Sequence, residues 1–174
     1  MATEIERKFL VVNEAWRARV SETIEMSQGY LNDLQAVESG DMKSSIRIRL
    51  EGDNALLNIK SGERGISRLE FEYPVSVDDA RELLKLTVGG IVSKKRHLVE
   101  HDGFTWEIDE FAGENEGLIV AEIELPSTDT VFDLPEWVGA EVTDSIRYYN
   151  LSLAAHPYSQ WSASERGTDL PGEF

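Results

Sequence analysis

Charged residues recur at every second position of this chain, around single apolar ones. Successive side chains of a strand point to opposite faces. In Thr3-Glu4-Ile5-Glu6-Arg7-Lys8-Phe9-Leu10-Val11-Val12 the charged Glu4, Glu6 and Lys8 share one face, while Ile5, Phe9 and Val11 mostly supply the other. Alone, this would be an ordinary strand edge. The same spacing returns at Arg47-Ile48-Arg49, Asn58-Ile59-Lys60, Arg68-Leu69-Glu70-Phe71-Glu72, Glu107-Ile108-Asp109 and Glu122-Ile123-Glu124, and without an apolar spacer at Lys94-Lys95-Arg96. Repeated on several strands and mixing carboxylates with cations, it predicts polar faces that converge on a common interior and apolar faces that pack outward against helices. The fold class this implies is α+β: a closed antiparallel β-barrel tunnel of about eight strands with helices packed outside, alternate residues pointing in around space for a ligand.

At 174 residues the chain suits one well-cored domain, and 41% apolar with 29% charged residues describes a soluble globular protein. There is no run of 18 apolar residues and no basic-then-apolar leader, so neither a membrane partner nor export is expected, and the cytoplasm is favoured. Without cysteine, disulfides and thiolate metal sites are excluded. A net charge of −16 argues against a nucleic-acid partner, because phosphate backbones are bound through excess Lys and Arg. It need not exclude a small polyanion, since local field rather than net charge decides binding. No GxxxxGK[ST] loop, HExxH motif or Ser-His-Asp arrangement is present, and His97, His101 and His156 are too scattered for a His-based metal site.

Further elements follow from periodicity and punctuation. Asn13 caps a short helix over 14–20; strands are expected over 24–31, 44–50, 55–60, 67–73, 91–100, 104–111 and 118–125. Glu38-Ser39-Gly40-Asp41 reads as loop, and Pro74 ends its strand. Ser76 caps a helix from Val77 to about Val88, with Ala80, Leu83 and Leu84 as its apolar stripe and Gly89-Gly90 as its stop. Pro135 could start a short helical turn, and a further helix is expected over 144–155. Residues 1–157 form the domain; the Ser-, Gly-, Asp- and Pro-rich 158–174 reads as a loosely packed tail.

Glu4-x-Glu6-x-Lys8 resembles the ExExK signature of the CYTH superfamily, the triphosphate tunnel metalloenzymes. The resemblance extends in order through Arg47-x-Arg49, Lys60, Glu70-x-Glu72, Lys94-x-Arg96, Asp109 and Glu122-x-Glu124, and includes the bacterial-like segment Asp144-Ser145-Ile146-Arg147-Tyr148-Tyr149-Asn150. It implies a triphosphate-containing small molecule as partner and metal-dependent attack of water on a terminal phosphorus.

The residue chemistry agrees. A triphosphate needs many donors; Arg offers a fork of N–H groups and Lys a compact charge. Lys8, Arg47, Arg49, Lys60 and Arg96 would bind substrate, with Arg68 either joining them or pairing internally. The resemblance places metal ligands mainly on Glu4, Glu6, Glu122 and Glu124, with Glu70, Glu72 and Asp109 in metal-binding or supporting roles. Converging carboxylates would repel one another, and oxygen-only donors suit Mg²⁺ or Mn²⁺. A Tyr30 and Lys94 pair, taken as the catalytic residues, looks like the small bacterial triphosphatases, which makes inorganic triphosphate the expected substrate. A class IV-type adenylate cyclase, a thiamine or nucleoside triphosphatase, and a non-catalytic polyphosphate-binding module are the alternatives. A homodimer is the default assembly.

Overall fold

In β6 (Val88–His101) and β7 (Phe104–Phe111), consecutive positive φ values at Asp102 (50°) and Gly103 (79°) make the two-residue turn that matches the twist of a hairpin. Hairpins of this kind, extended sideways, build the molecule. The computed structural model describes residues 3–62 and 66–167. The other strands are β1 (Thr3–Val11), β2 (Val20–Tyr30), β3 (Ser44–Glu51), β4 (Asn54–Ser61), β5 (Ser67–Val75), β8 (Ile119–Glu124) and β9 (Val138–Glu141). Their order is β5-β4-β3-β2-β6-β7-β8-β1-β9, and an antiparallel β1–β5 pairing at Thr3–Leu69, Glu4–Arg68 and Ile5–Ser67 closes eight of them into a barrel. The ninth, β9, joins β1 further along, beside Phe9 and Val11.

Register carries the charged triplets inward together. Lys8 lies opposite Glu122, Glu6 opposite Glu124, Lys60 opposite Glu70, Asn58 opposite Glu72 and Arg96 opposite Asp109. A slip by one residue would turn every one of these groups out and the apolar spacers in, so the register is strongly specified.

The outward spacers are covered in two ways. Over β3 and β4, helix α2 (Val77–Leu84) lays Ala80 on Ile48 and Ala55, all essentially inaccessible. Ser76 caps it by accepting from Asp79 N at 3.1 Å. Over β1 and β6–β8 the cover is mostly irregular chain rather than helix. Trp16, from a single 3₁₀ turn over Ala15–Arg19, and Phe132 and Trp137 pack there, with Trp106 edge-on to Trp137 at 5.4 Å and to Phe132 at 5.9 Å. The expected cap moves by one residue: Glu14 holds the cap position without a side-chain cap bond, and Asn13 Oδ1 accepts from Ala15 N at 2.9 Å just ahead of the turn.

Several expectations from the sequence fail locally. Helix α2 stops at Leu84; Gly89 and Gly90 belong to β6 instead. Gly89 has φ 71°, and a Cβ there would lie 2.9 Å from Leu34 Cδ1 and 3.0 Å from the Ala154 carbonyl oxygen. That glycine lets the chain at Ala154 come close rather than ending the preceding helix. Pro74 sits inside β5 opposite Leu56, which is tolerated because the other neighbour, β1, pairs only with Ser67–Leu69. Helix α1 (Leu34–Ser39) replaces the start of the expected loop, capped by Asp33 and ended by Gly40 at φ 87°. The expected helix over 144–155 is a 3₁₀ turn, Ile146–Tyr148, followed by α3 (Asn150–Ala155).

The segment from Tyr158 is not loose as far as it is described. A turn at Tyr158–Gln160 and helix α4 (Ala163–Gly167) bracket Trp161, which is buried edge-on to Tyr148 (5.1 Å) and Tyr158 (5.0 Å). The aromatic residues hold this chain down against its polar composition; residues 168–174 lie outside the described part. Trp161, Leu153 and Ala154 join Leu10, Tyr30, Val92, Phe111 and Val120 in an apolar cluster. Those last five continue the inward rows of their strands, so this cluster fills one end of the barrel.

Candidate active site

Above that apolar end lies a polar interior. A cavity of about 120 Å³ there is lined by the carboxylates of Glu4, Glu6, Glu70, Glu72, Glu107, Glu122 and Glu124 and by Arg47, Arg49, Lys60, Arg68 and Arg96, with Asn150 reaching in from α3. A second cavity under α1 and α3 shares Lys8 and Tyr30 with Arg47, Lys60, Arg68 and Asn150. The structure therefore brings the sequence-predicted residues to one interior, although Glu72 sits at its rim with its side chain 46% exposed.

Within the interior the charges sort into pairs. Glu4 accepts from Lys60 Nζ at 3.2 Å and Arg68 Nε at 3.0 Å. Burial alone would raise its carboxyl, but these two cations outweigh burial and hold it down at about 2. Glu122 meets Lys8 at 3.0 Å and Arg96 at 3.5 Å, and the same contest leaves it well below the usual carboxylate range. Asp109, fully buried, accepts from Lys94 Nζ at 2.8 Å and, in a bidentate fork, from Arg96 Nε and Nη2 at 2.8 and 2.9 Å. It too is held low against its burial by Arg96 and Lys94. The expected mutual repulsion of carboxylates is thus cancelled at Glu4 and Glu122.

It persists elsewhere. Glu6 and Glu124 face each other across β1 and β8, and neither has an ion pair among the described residues. Burial, then Glu122 and Glu4, push Glu6 well above the ordinary range; burial, then Glu4 and Glu72, raise Glu124. Glu70, raised chiefly by burial and secondarily by Glu4 against the pull of Lys60, comes to about 7. No three acidic side chains among the described residues converge on a ready-made ion site. The donor set nevertheless fits a hard divalent ion: it is all oxygen, and Glu6 and Glu124 are adjacent carboxylates lacking a counter-charge.

Tyr30 and Lys94 are both buried, but no hydrogen bond joins them. Lys94 Nζ is engaged by Asp109 and by Asn150 Oδ1 at 3.2 Å, whereas Tyr30 lines the second cavity beside Lys8 and Arg47. Burial lowers Lys94 to about 8 in spite of Asp109.

Reasoning from strand alternation singled out no role for five residues that the structure puts at the site or, for Gln28, in the barrel wall beside it. Asn58 bonds Arg47, Glu70 and Glu72, and Glu107 pairs with Arg96; both stood in the charged triplets, and their parity was the available signal. Gln28 shares the inward parity of Tyr30. Asn150 and Tyr149, whose ring lies 5.0 Å from Lys8 Nζ and 5.6 Å from the Arg68 guanidinium, come from outside the strands, where alternation has nothing to say.

The family model for the CYTH domain matches residues 2–158. The chain belongs to the CYTH domain family. Among CYTH relatives, an inorganic triphosphatase from Acetivibrio thermocellus is 41% identical over 162 residues, covering 92% of this chain and 99% of that protein. An inorganic triphosphatase from Nitrosomonas europaea is 36% identical, covering 87% and 97%. A solved crystal structure of an inorganic triphosphatase superposes with a TM-score of 0.62 at 33% identity, over 88% of this chain and 95% of that one. A protein from Hippeastrum, described as a putative adenylyl cyclase with a dominant triphosphatase activity, shares the fold at a TM-score of 0.55 and 16% identity, over 71% and 80%. The CYTH match stops at residue 158, so Trp161 closes the barrel end just outside it. No helix among the described residues is long and apolar enough to cross a membrane.

Proposed function

We propose that this chain is a metal-dependent triphosphatase that hydrolyses inorganic triphosphate to pyrophosphate and phosphate inside the barrel, with Mg²⁺ or Mn²⁺ as its ion. The observation that carries this reading is a closed polar lumen in which an arginine wall stands across from two adjacent carboxylates that have no ion pair of their own among the described residues. Arg47 and Arg49 stand on β3, while Glu6 and Glu124 meet on β1 and β8. Two relatives more than 30% identical and carrying the name inorganic triphosphatase support the choice of substrate.

In this reading Arg47, Arg49, Lys60 and Arg68 bind and align the phosphate chain, each releasing a carboxylate or filling an open donor position as it does so. Lys8 and Arg96 hold Glu122 ionised and oriented. Glu6 and Glu124, with Glu4 and Glu122 beside them, would hold the ion; Asp109, Glu70 and Glu72 support the cations next to them. A bound divalent ion supplies positive charge to phosphate oxygens and acidifies a water for in-line attack. Lys94, fixed by Asp109 and Asn150, presents a cation to the charge that builds on the phosphoryl group, and Tyr30 contacts substrate from the second cavity.

The test is a substrate panel with Mg²⁺ and Mn²⁺, in which phosphate, pyrophosphate and cyclic AMP are measured from inorganic triphosphate, ATP and thiamine triphosphate. Preferential release of pyrophosphate and phosphate from inorganic triphosphate is expected. Cyclic AMP as the main product, or no turnover of any of the three, would overturn the reading.

A further inference from the structure

Gln28 is fully buried, and neither its Nε2 nor its Oε1 has a hydrogen-bond partner among the described residues. Buried amides are almost always satisfied, because an unmade bond leaves the desolvation of the group uncompensated. The anomaly has a neighbour. Arg47 Nη2, also buried, lacks a partner, while its Nε reaches only as far as Asn58 Oδ1 at 3.4 Å.

These orphaned groups adjoin in the barrel wall. Gln28 stands opposite Arg49 across β2 and β3, and the next inward pair along the two strands is Tyr30 with Arg47. On the other side Gln28 faces Val92, and Lys94 follows Val92 inward along β6. Gln28 is therefore flanked by side chains that line the cavities: Tyr30 in the second, Arg49 in the first and Arg47 in both. Elsewhere in the lumen Lys8, Lys60, Arg68, Lys94 and Arg96 are matched to carboxylates. Among the described residues of the lumen, the β2–β3 wall alone combines open donors from adjacent strands.

We propose that Gln28 is a substrate-binding residue, whose amide N–H groups act with Arg47 Nη2 to hold a phosphoryl group of the triphosphate against this wall. This rests on the reading of the site as a triphosphatase. Ionised phosphoryl oxygens are acceptors only, so they match two orphaned donors better than a second amide or hydroxyl would. Gln28 adds directional, uncharged donation beside the two arginines, which favours a phosphoryl group lodged against β2–β3 over a carboxylate of similar charge but fewer oxygens.

The experiment uses Gln28→Met, which keeps side-chain length and volume while removing both polar atoms, and Gln28→Glu, which keeps shape but replaces the donor by an acceptor. Melting temperature is recorded without metal or substrate, and kcat and KM are measured for inorganic triphosphate with Mg²⁺. Gln28→Met is expected to melt no lower than the wild type, because an unsatisfied group has been removed, yet to lose about ten- to a hundredfold in kcat/KM, the range for hydrogen bonds to charged groups. Gln28→Glu should lose more than Gln28→Met. Wild-type kcat/KM in either folded variant overturns the proposal and leaves an internal water as the partner of Gln28. If Gln28→Met does not fold, the kinetics of Gln28→Glu decide. Failure of the wild type itself to hydrolyse triphosphate would overturn the triphosphatase reading instead, so the two outcomes are separable.

Discussion

Asp109→Asn removes one charge and almost no volume from the most enclosed ion cluster of the barrel. Asp109 and Lys94 have fully buried side chains, and Asp109 is the only carboxylate paired with Lys94 among the described residues. Arg96 would keep Glu107 and Glu122; Lys94 would keep only the neutral oxygen of Asn150. Breaking a buried pair by deleting one partner typically costs about 3–5 kcal/mol, because a buried charge is left uncompensated. At about 2–4 °C per kcal/mol for a domain of this size, the melting temperature should fall by about 6–20 °C. Thermal unfolding followed by circular dichroism without metal measures this directly. The double variant Asp109→Asn with Lys94→Met should recover much of the loss, since it removes the stranded charge as well. A melting temperature within about 2 °C of wild type, together with loss of the response to Mg²⁺, would refute the reasoning and make Asp109 an ion ligand rather than the anchor of Lys94 and Arg96.

Three further outcomes are expected. Arg49→Ala should lower kcat/KM for triphosphate by about ten- to a hundredfold with an unchanged circular dichroism spectrum, because the carboxylates it leaves, Glu51 and Glu72, reach solvent; wild-type kinetics would place Arg49 outside the site. Lys94, lowered to about 8 by burial, is a cation below that pH and loses its charge as pH rises through it, so kcat/KM should fall about tenfold per unit above pH 8. Lys94→Arg should carry the activity it retains to higher pH, and an unchanged alkaline limb would sink that assignment. Mg²⁺ at about a hundred times its dissociation constant should stabilise the fold by about 2.7 kcal/mol, or about 5–10 °C; NaCl of matched ionic strength should not, and Glu6→Gln with Glu124→Gln should abolish the effect.

The strands and their interior were legible because both depend on a period of two. Where Arg47-Ile48-Arg49 is buried on both faces, the arginines could not be surface cations and Ile48 had to meet another layer, which α2 supplies. The connecting chain was less legible because its structure depends on tertiary contact. Gly89 looked like a helix stop and is instead a clearance for Ala154. Trp161 looked like part of a polar tail and is a core residue held by two tyrosines. Charge balance was the least accessible level. Glu4, Glu6, Glu122 and Glu124 are alike in sequence, yet register gives cations to two of them and leaves the other two facing each other.

The same register explains how a chain of net charge −16 can offer an anion site. Seven of its 17 basic residues, Lys8, Arg47, Arg49, Lys60, Arg68, Lys94 and Arg96, point into the lumen, against eight of its 33 acidic ones, Glu4, Glu6, Glu70, Glu72, Glu107, Asp109, Glu122 and Glu124. Almost all of the excess negative charge therefore lies elsewhere on the chain, where water and salt screen it. Inside, the count is nearly balanced, so the lumen as a whole has no surplus to attract a polyanion; the attraction has to come from how the charges are segregated. Strands β2 and β3 lie across the barrel from β1 and β8, so a triphosphate held by Arg47, Arg49 and Gln28 would face Glu6 and Glu124, and an ion held by those two carboxylates would turn the repulsive wall into a second attractive one. On the proposed function, substrate and ion would then not be independent ligands of this barrel, because each would remove the charge conflict that the other meets.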